Sequence, residues 1–338
     1  MTTVTESPTG TQASAAQPLI ESQLETYKRD GFLIIEDVLR GDELSRAQAA
    51  FDRAQAVTRL DWEAGRARGR GTSENGEYYA SGTFHGRKYF DIYPLHLLEQ
   101  DDACVEMIAH PRLFPFLSAS VGEDVQTATI QVRVLEPQTA ADAQQEGGYV
   151  DWHRDHKNDE AWRFLGRPLN TKVLIYLTDV GPDDGCTACV PGSHLWDHEP
   201  DHLVYKGMGG GDGQAKKVRN QRDMPGMVAA EVKAGSAFLF NTRLWHTTLP
   251  HTGERDRWAV LTLYCPFYQK QPGVTVEAAE GLDAAGQLTT PERRQLFGLD
   301  MMSTGKNPYK RLAQHDGSDT DDRNFKGVRP PKLGEPTK

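Results

Sequence analysis

Thr129-Ile130-Gln131-Val132-Arg133-Val134 alternates polar and apolar residues without a break, the period-2 pattern of a half-buried β-strand. It marks the point, from about residue 126, where the chain turns to β. Strand-like runs follow at Gly148–His153, Thr171–Thr178, Ala188–Val190, Met227–Val232, Ser236–Phe240 and Trp258–Pro266. Turn formers separate them: Gly181-Pro182-Asp183-Asp184-Gly185, Pro191-Gly192, Ala234-Gly235 and Thr252-Gly253. Many short strands with no helices between them predict a sandwich or barrel.

Upstream of this region the chain reads as helical. Ser22 to Arg29 leads into Gly31, a helix stop, and Phe32 to Ile35 reads as a short buried strand. Asp42 caps a second expected helix whose Leu44, Ala47, Phe51 and Ala54 share one face. Residues 63–83 lack a period and read as a loop. A disordered tail is expected over residues 1–18, a single domain over 19–315 with its β core at about 126–268, and an irregular tail over 316–338. Residues 201–226 carry the run Gly207-Met208-Gly209-Gly210-Gly211-Asp212-Gly213, which cannot pack a core and reads as a mobile insertion.

Composition narrows the class. The 338 residues are 38% hydrophobic and 25% charged, within the globular range. A net charge of −10 argues against nucleic acid or an anionic membrane as partner. No apolar run reaches the ~18 residues of a spanning helix, and the polar start lacks the pattern of a secretory signal. Four scattered cysteines do not make a disulfide scaffold and suit a reducing cytoplasm. Cys186 and Cys189 form a lone CxxC without a second half, which reads as two small residues in a turn and strand.

The chemistry centres on Trp152-His153-Arg154-Asp155-His156. Residues two apart on a strand point the same way, so His153 and Asp155 face one interior together. An imidazole and a carboxylate are two thirds of a 2-His-1-carboxylate facial triad, which holds Fe(II) and leaves positions open. The third member is read downstream. Ala234 to Leu249 forms a turn, an apolar strand and a second strand-like piece carrying His246. Thr248 lies two residues further on, and Arg257, eleven residues beyond His246, offers a guanidinium suited to a carboxylate.

Five stretches together resemble the phytanoyl-CoA dioxygenase family, the branch of Fe(II)/2-oxoglutarate oxygenases that includes ectoine hydroxylase and natural-product tailoring enzymes. They are Tyr27 to Ile35, Trp152 to Asp155, Asp184-Gly185 with Pro191-Gly192-Ser193-His194, Ala234 to His246, and Arg257. The resemblance spans roughly residues 24–268. It implies a double-stranded β-helix (a jelly-roll, cupin-like core) with helices outside. It also implies iron on His153, Asp155 and His246, and 2-oxoglutarate held by Arg257, with Thr248 and Gln131 beside it. O2 is then the second co-substrate, and a small molecule, such as a natural-product intermediate, the substrate. Hydroxylation is the expected outcome, with desaturation, cyclisation and epimerisation as alternatives. Related halogenases carry Ala or Gly where this chain has Asp155, so a carboxylate there argues against halogenation.

The resemblance to the ectoine hydroxylase branch also implies that Arg133 faces the substrate; Trp152, Trp245, Phe90 and Tyr149 are expected to line its pocket. His194, His198 and His202 recur every four residues, but Pro191-Gly192 and Pro200 break any helix through them; they read as surface or loop histidines. Asp183 and Asp184 read as turn formers. Two rivals stay open: a non-catalytic ligand-binding barrel, and a zinc hydrolase, whose motif lacks a histidine at Asp151. A homodimer is compatible with everything above.

Overall fold

The computed structural model describes residues 12–63, 82–84, 87–141, 143, 150–155, 169–198, 200, 221–269 and 276–300. The helices are α1 Gln12–Asp30, α2 Asp42–Glu63, α3 Pro94–Leu98, α4 Asp102–Ile108, α5 Phe114–Val121, α6 Val276–Ala284 and α7 Pro291–Leu296. The strands are β1 Phe32–Ile35, β2 Gly82–Phe84, β3 Arg87–Ile92, β4 Val125–Leu135, β5 Val150–His153, β6 Thr171–Tyr176, β7 Thr187–Cys189, β8 Val228–Ala229, β9 Ala237–Asn241, β10 His246–Thr248 and β11 Arg257–Pro266.

These strands form two antiparallel sheets. The larger has the order β1-β9-β6-β11-β4-β3-β2 and the smaller β5-β10-β7-β8. From β4 onward the chain passes back and forth between them, so that β4, β6, β9 and β11 lie in one and β5, β7, β8 and β10 in the other. That is the winding of a double-stranded β-helix, the jelly-roll expected from the sequence.

Strand alternation sorts the core into two. Ile130, Val132 and Val134 of β4 join Val173, Ile175, Leu239 and Val260 in the cluster that packs against Ala47, Phe51 and Ala54 of α2 and Leu117 of α5. The intervening positions, Leu174, Tyr176, Phe238, Phe240, Ala259 and Leu261, join Ala188 and Cys189 of the small sheet. Both faces of the large sheet are thus covered, each fully buried aliphatic side chain contributing about 1.5–3 kcal/mol.

Several expectations shift. Helix α1 begins at Gln12, inside the stretch read as a disordered tail. Ala13, Ala15 and Ala16 are strong helix formers, which the reading of a polar tail undervalued. Strand β1 is only half-buried because, among the described strands, it stands at the edge and pairs with β9 alone. The run 227–232 shrinks to two paired residues in β8 plus a bridge from Val180 to Val232. Most of the loop at 63–83, the Gly-rich run of the insertion and the tail from 316 lie outside the described residues. No described helix is long and apolar enough to cross a membrane.

Candidate metal centre

His153 closes β5 and His246 opens β10, and the two are direct cross-strand partners. Their rings lie 4.2 Å apart. Asp155 sits just past the end of β5 and brings Oδ1 to 3.4 Å from His153 Nε2 and 3.8 Å from His246 Nε2. One ligand atom from each of the three lies within 4.8 Å of the others. Two imidazole nitrogens and one carboxylate oxygen on one side of a site suit Fe(II).

The surroundings prepare these atoms. His246 Nδ1–H donates to the Leu244 carbonyl at 2.8 Å, which leaves the Nε2 lone pair facing the other ligands. Burial, with His153 beside it, pushes His246 down to about 3, so the ring is neutral at neutral pH. Burial alone would raise the Asp155 carboxyl. The Lys172 ammonium and the two imidazoles outweigh it and hold Asp155 well below the usual carboxylate range. Lys172 Nζ donates to Asp155 Oδ2 at 3.1 Å. Phe240, its register neighbour on β9, packs its ring 4.4 Å from that of His246.

One step along β10, about 7 Å for two residues, lies a second polar group. Thr248 pairs with Thr187, whose hydroxyl bonds the Tyr176 hydroxyl at 2.9 Å. The Arg257 guanidinium lies 5.7 Å from the centre of the Tyr176 ring and donates to the Gly185 carbonyl. Gly185 has φ +66°, and a Cβ there would meet Leu135 at 2.6 Å, so the turn that offers this carbonyl needs glycine. Buried Arg257 and half-buried Thr248 thereby belong to one cluster, one strand step along β10 from His246.

Other expected site residues fall differently. Gln131 pairs with Leu261 and Arg133 with Ala259, on the face turned to the small sheet. Arg133 donates through Nε and Nη2 to Asp91 at 2.6 Å each, so its charge is engaged by a protein carboxylate. Trp152 and Trp245 are 3% and 1% exposed. Trp152 Nε1 donates to the Gln221 carbonyl, and the Gln221 side chain bonds the Thr247 hydroxyl. The alternation that sets His153 and His246 on one face turns their sequence neighbours to the other. Phe90 pairs in register with Val134, while Asp91 takes the inward position beside Arg133. Tyr149, His156 and His202 lie outside the described residues.

The Pro191 to His194 segment braces the centre. Ser193 Oγ accepts from the Trp245 backbone N–H at 2.9 Å, and Arg243 Nε donates to the His194 carbonyl. His194 is buried, not at the surface, and its Nε2–H donates to the Lys28 carbonyl at 3.1 Å. Gly31 makes room for that ring: a Cβ there would sit 2.4 Å from His194 Nδ1. The Asp184 carboxylate accepts from the Gly181 N–H at 2.9 Å, the turn role expected of it. Cys186 and Cys189 are buried free thiols.

Lys172 and Tyr176 escaped the sequence reading. The signal for both was present: Lys172, Leu174 and Tyr176 form one row of a largely apolar strand, and a lysine in such a row requires a partner.

Comparison with known proteins agrees with this architecture. The phytanoyl-CoA dioxygenase (PhyH) family profile matches residues 27–259. An ectoine dioxygenase from Nocardia farcinica (strain IFM 10152) is 26% identical over 235 residues, 66% of this chain and 70% of that protein. The dioxygenase cnsJ of Penicillium expansum is 29% identical over 100 residues, 28% of this chain. The chain matches 25% of that relative's length. Among solved structures, AviO1 from Streptomyces viridochromogenes Tue57 has a TM-score of 0.50 at 22% identity, over 74% of this chain and 96% of that one, in keeping with the fold. Because the family match runs unbroken from α1 into β11, across all three converging ligand residues, the chain belongs to the phytanoyl-CoA dioxygenase (PhyH) family.

Proposed function

We propose that this protein is an Fe(II)- and 2-oxoglutarate-dependent dioxygenase that hydroxylates a small molecule, such as a natural-product intermediate. The observation that carries the reading is the convergence of His153, Asp155 and His246, one strand step from the Thr248–Thr187–Tyr176–Arg257 cluster. The three ligands would hold the metal on one face. Arg257 and Thr248 would anchor the distal carboxylate of the keto acid, whose other end then reaches the metal. Gln131, on the same inward face, would flank it. When bound, iron with 2-oxoglutarate and O2 supplies the oxidising power, releasing succinate and CO2. The protein's part is to orient these groups and keep water out. A carboxylate at Asp155 leaves no position for a halide among the protein ligands, in favour of hydroxylation.

The test is oxygen uptake and succinate formation by purified protein given Fe(II) and 2-oxoglutarate with a panel of small molecules. Uptake that needs both additions supports the reading. Zinc retention with oxygen-independent turnover would point to a hydrolase, and ligand binding without any turnover to a non-catalytic barrel. Product mass separates the outcomes at this one site: one oxygen gained for hydroxylation, two hydrogens lost for desaturation or ring closure, no change for epimerisation.

A further inference from the structure

Asp155 is divided between two sets of partners. Its Oδ1 faces His153 Nε2 and His246 Nε2, at 3.4 and 3.8 Å. Its Oδ2 faces Lys172 Nζ, at 3.1 Å. A carboxylate can bind a metal through one oxygen or through both. Bound through both, it would occupy a position that a bidentate keto acid and O2 together require. Asp155 also lies beyond the paired end of β5, so strand pairing does not fix its orientation. Lys172 is fixed: it pairs with Phe240 on one side and Leu263 on the other. Its side chain is 18% exposed, and an aliphatic stem in that row would pack without any charge.

We propose that Lys172 is a positioning residue that holds Asp155 Oδ2 away from the metal, so that Asp155 offers Oδ1 alone. The proposal rests on the functional reading above. Lys172 touches neither substrate nor the reacting atoms; it acts by leaving a coordination position for the co-substrate. Partners of metal ligands characteristically change affinity or activity about 10–100-fold when removed.

The test uses full-length wild type, Lys172→Met and Lys172→Arg, each loaded with Co(II), whose visible absorption reports coordination number and geometry. Without 2-oxoglutarate, Lys172→Met is expected to show a changed cobalt spectrum as Asp155 closes onto the metal. Its affinity for 2-oxoglutarate, read by titrating the cobalt protein, is expected to fall about 10–100-fold. Lys172→Arg, which keeps a charged donor, is expected to restore both. If Lys172→Met does not fold, Lys172→Gln replaces it and the same spectrum decides. A Lys172→Met (or Gln) spectrum identical to wild type before 2-oxoglutarate is added overturns the proposal, even if keto-acid binding is weaker, because that pattern means direct contact with the keto acid. Wild type that binds no cobalt overturns the functional reading and this proposal with it.

Discussion

The two sheets divide the work unequally. The large sheet is built on β4 and β11, of 11 and 10 residues, and is packed on both faces. The small sheet has strands of two to four residues, yet it carries both histidines. Short strands cannot hold side chains firmly by their own ladders. Their placement is borrowed: Phe240 and Lys172 reach across from the large sheet to His246 and Asp155, and Ser193 pins the backbone at Trp245. Stability is concentrated in one layer and chemistry in the other.

Substitutions can break that division. The largest effect is expected from His246→Ala, which should abolish 2-oxoglutarate turnover while shifting the metal-free melting temperature less than any large-sheet truncation. A variant that keeps turnover would remove His246 from the chemistry. Leu239→Ala, buried on the helix side of β9, should do the reverse. It is expected to cost about 2–5 kcal/mol in urea unfolding with kcat unchanged; a large fall in kcat would show that the layers are not separable. Arg257→Lys keeps the charge and loses the planar fork. It should raise the KM for 2-oxoglutarate about tenfold, or ~1.4 kcal/mol, with little change in the melting temperature.

The smallest effect concerns acid. Burial pushes His194 down to about 4 and His246 to about 3, whereas an unfolded chain protonates histidine near pH 6.5. Between those values the unfolded state binds more protons, so stability falls as pH drops from about 6.5. His194→Gln, which keeps a donor for the Lys28 carbonyl, should flatten the fall in melting temperature between pH 6.5 and about 4 without removing it, since His246 remains. An unchanged slope would mean that His194 does not titrate across the transition.

The legible parts of this molecule are the local ones. The alternation in β4, the His153/Asp155 spacing and the hairpin to His246 are each written within a few residues. Lys172 and its partner Asp155 are 17 residues apart, and Arg133 and Asp91 are 42 apart. Such pairs leave no local period, and only the folded register brings them together. The tryptophans follow the same alternation: Trp152 and Trp245 are turned away from their histidine neighbours, and both are buried. Helix α1 extends further than expected because alanine content outweighs the polar residues around it.

Cys189 stands directly across from His246 on the neighbouring strand. A thiolate there would be a soft donor beside the histidines, and soft donors recruit zinc or copper(I) in preference to iron. Burial pushes the Cys189 thiol far up, and a protonated thiol is a poor ligand. Cys189 therefore serves the apolar packing between the sheets, and the converging ligand set among the described residues stays two imidazoles and a carboxylate.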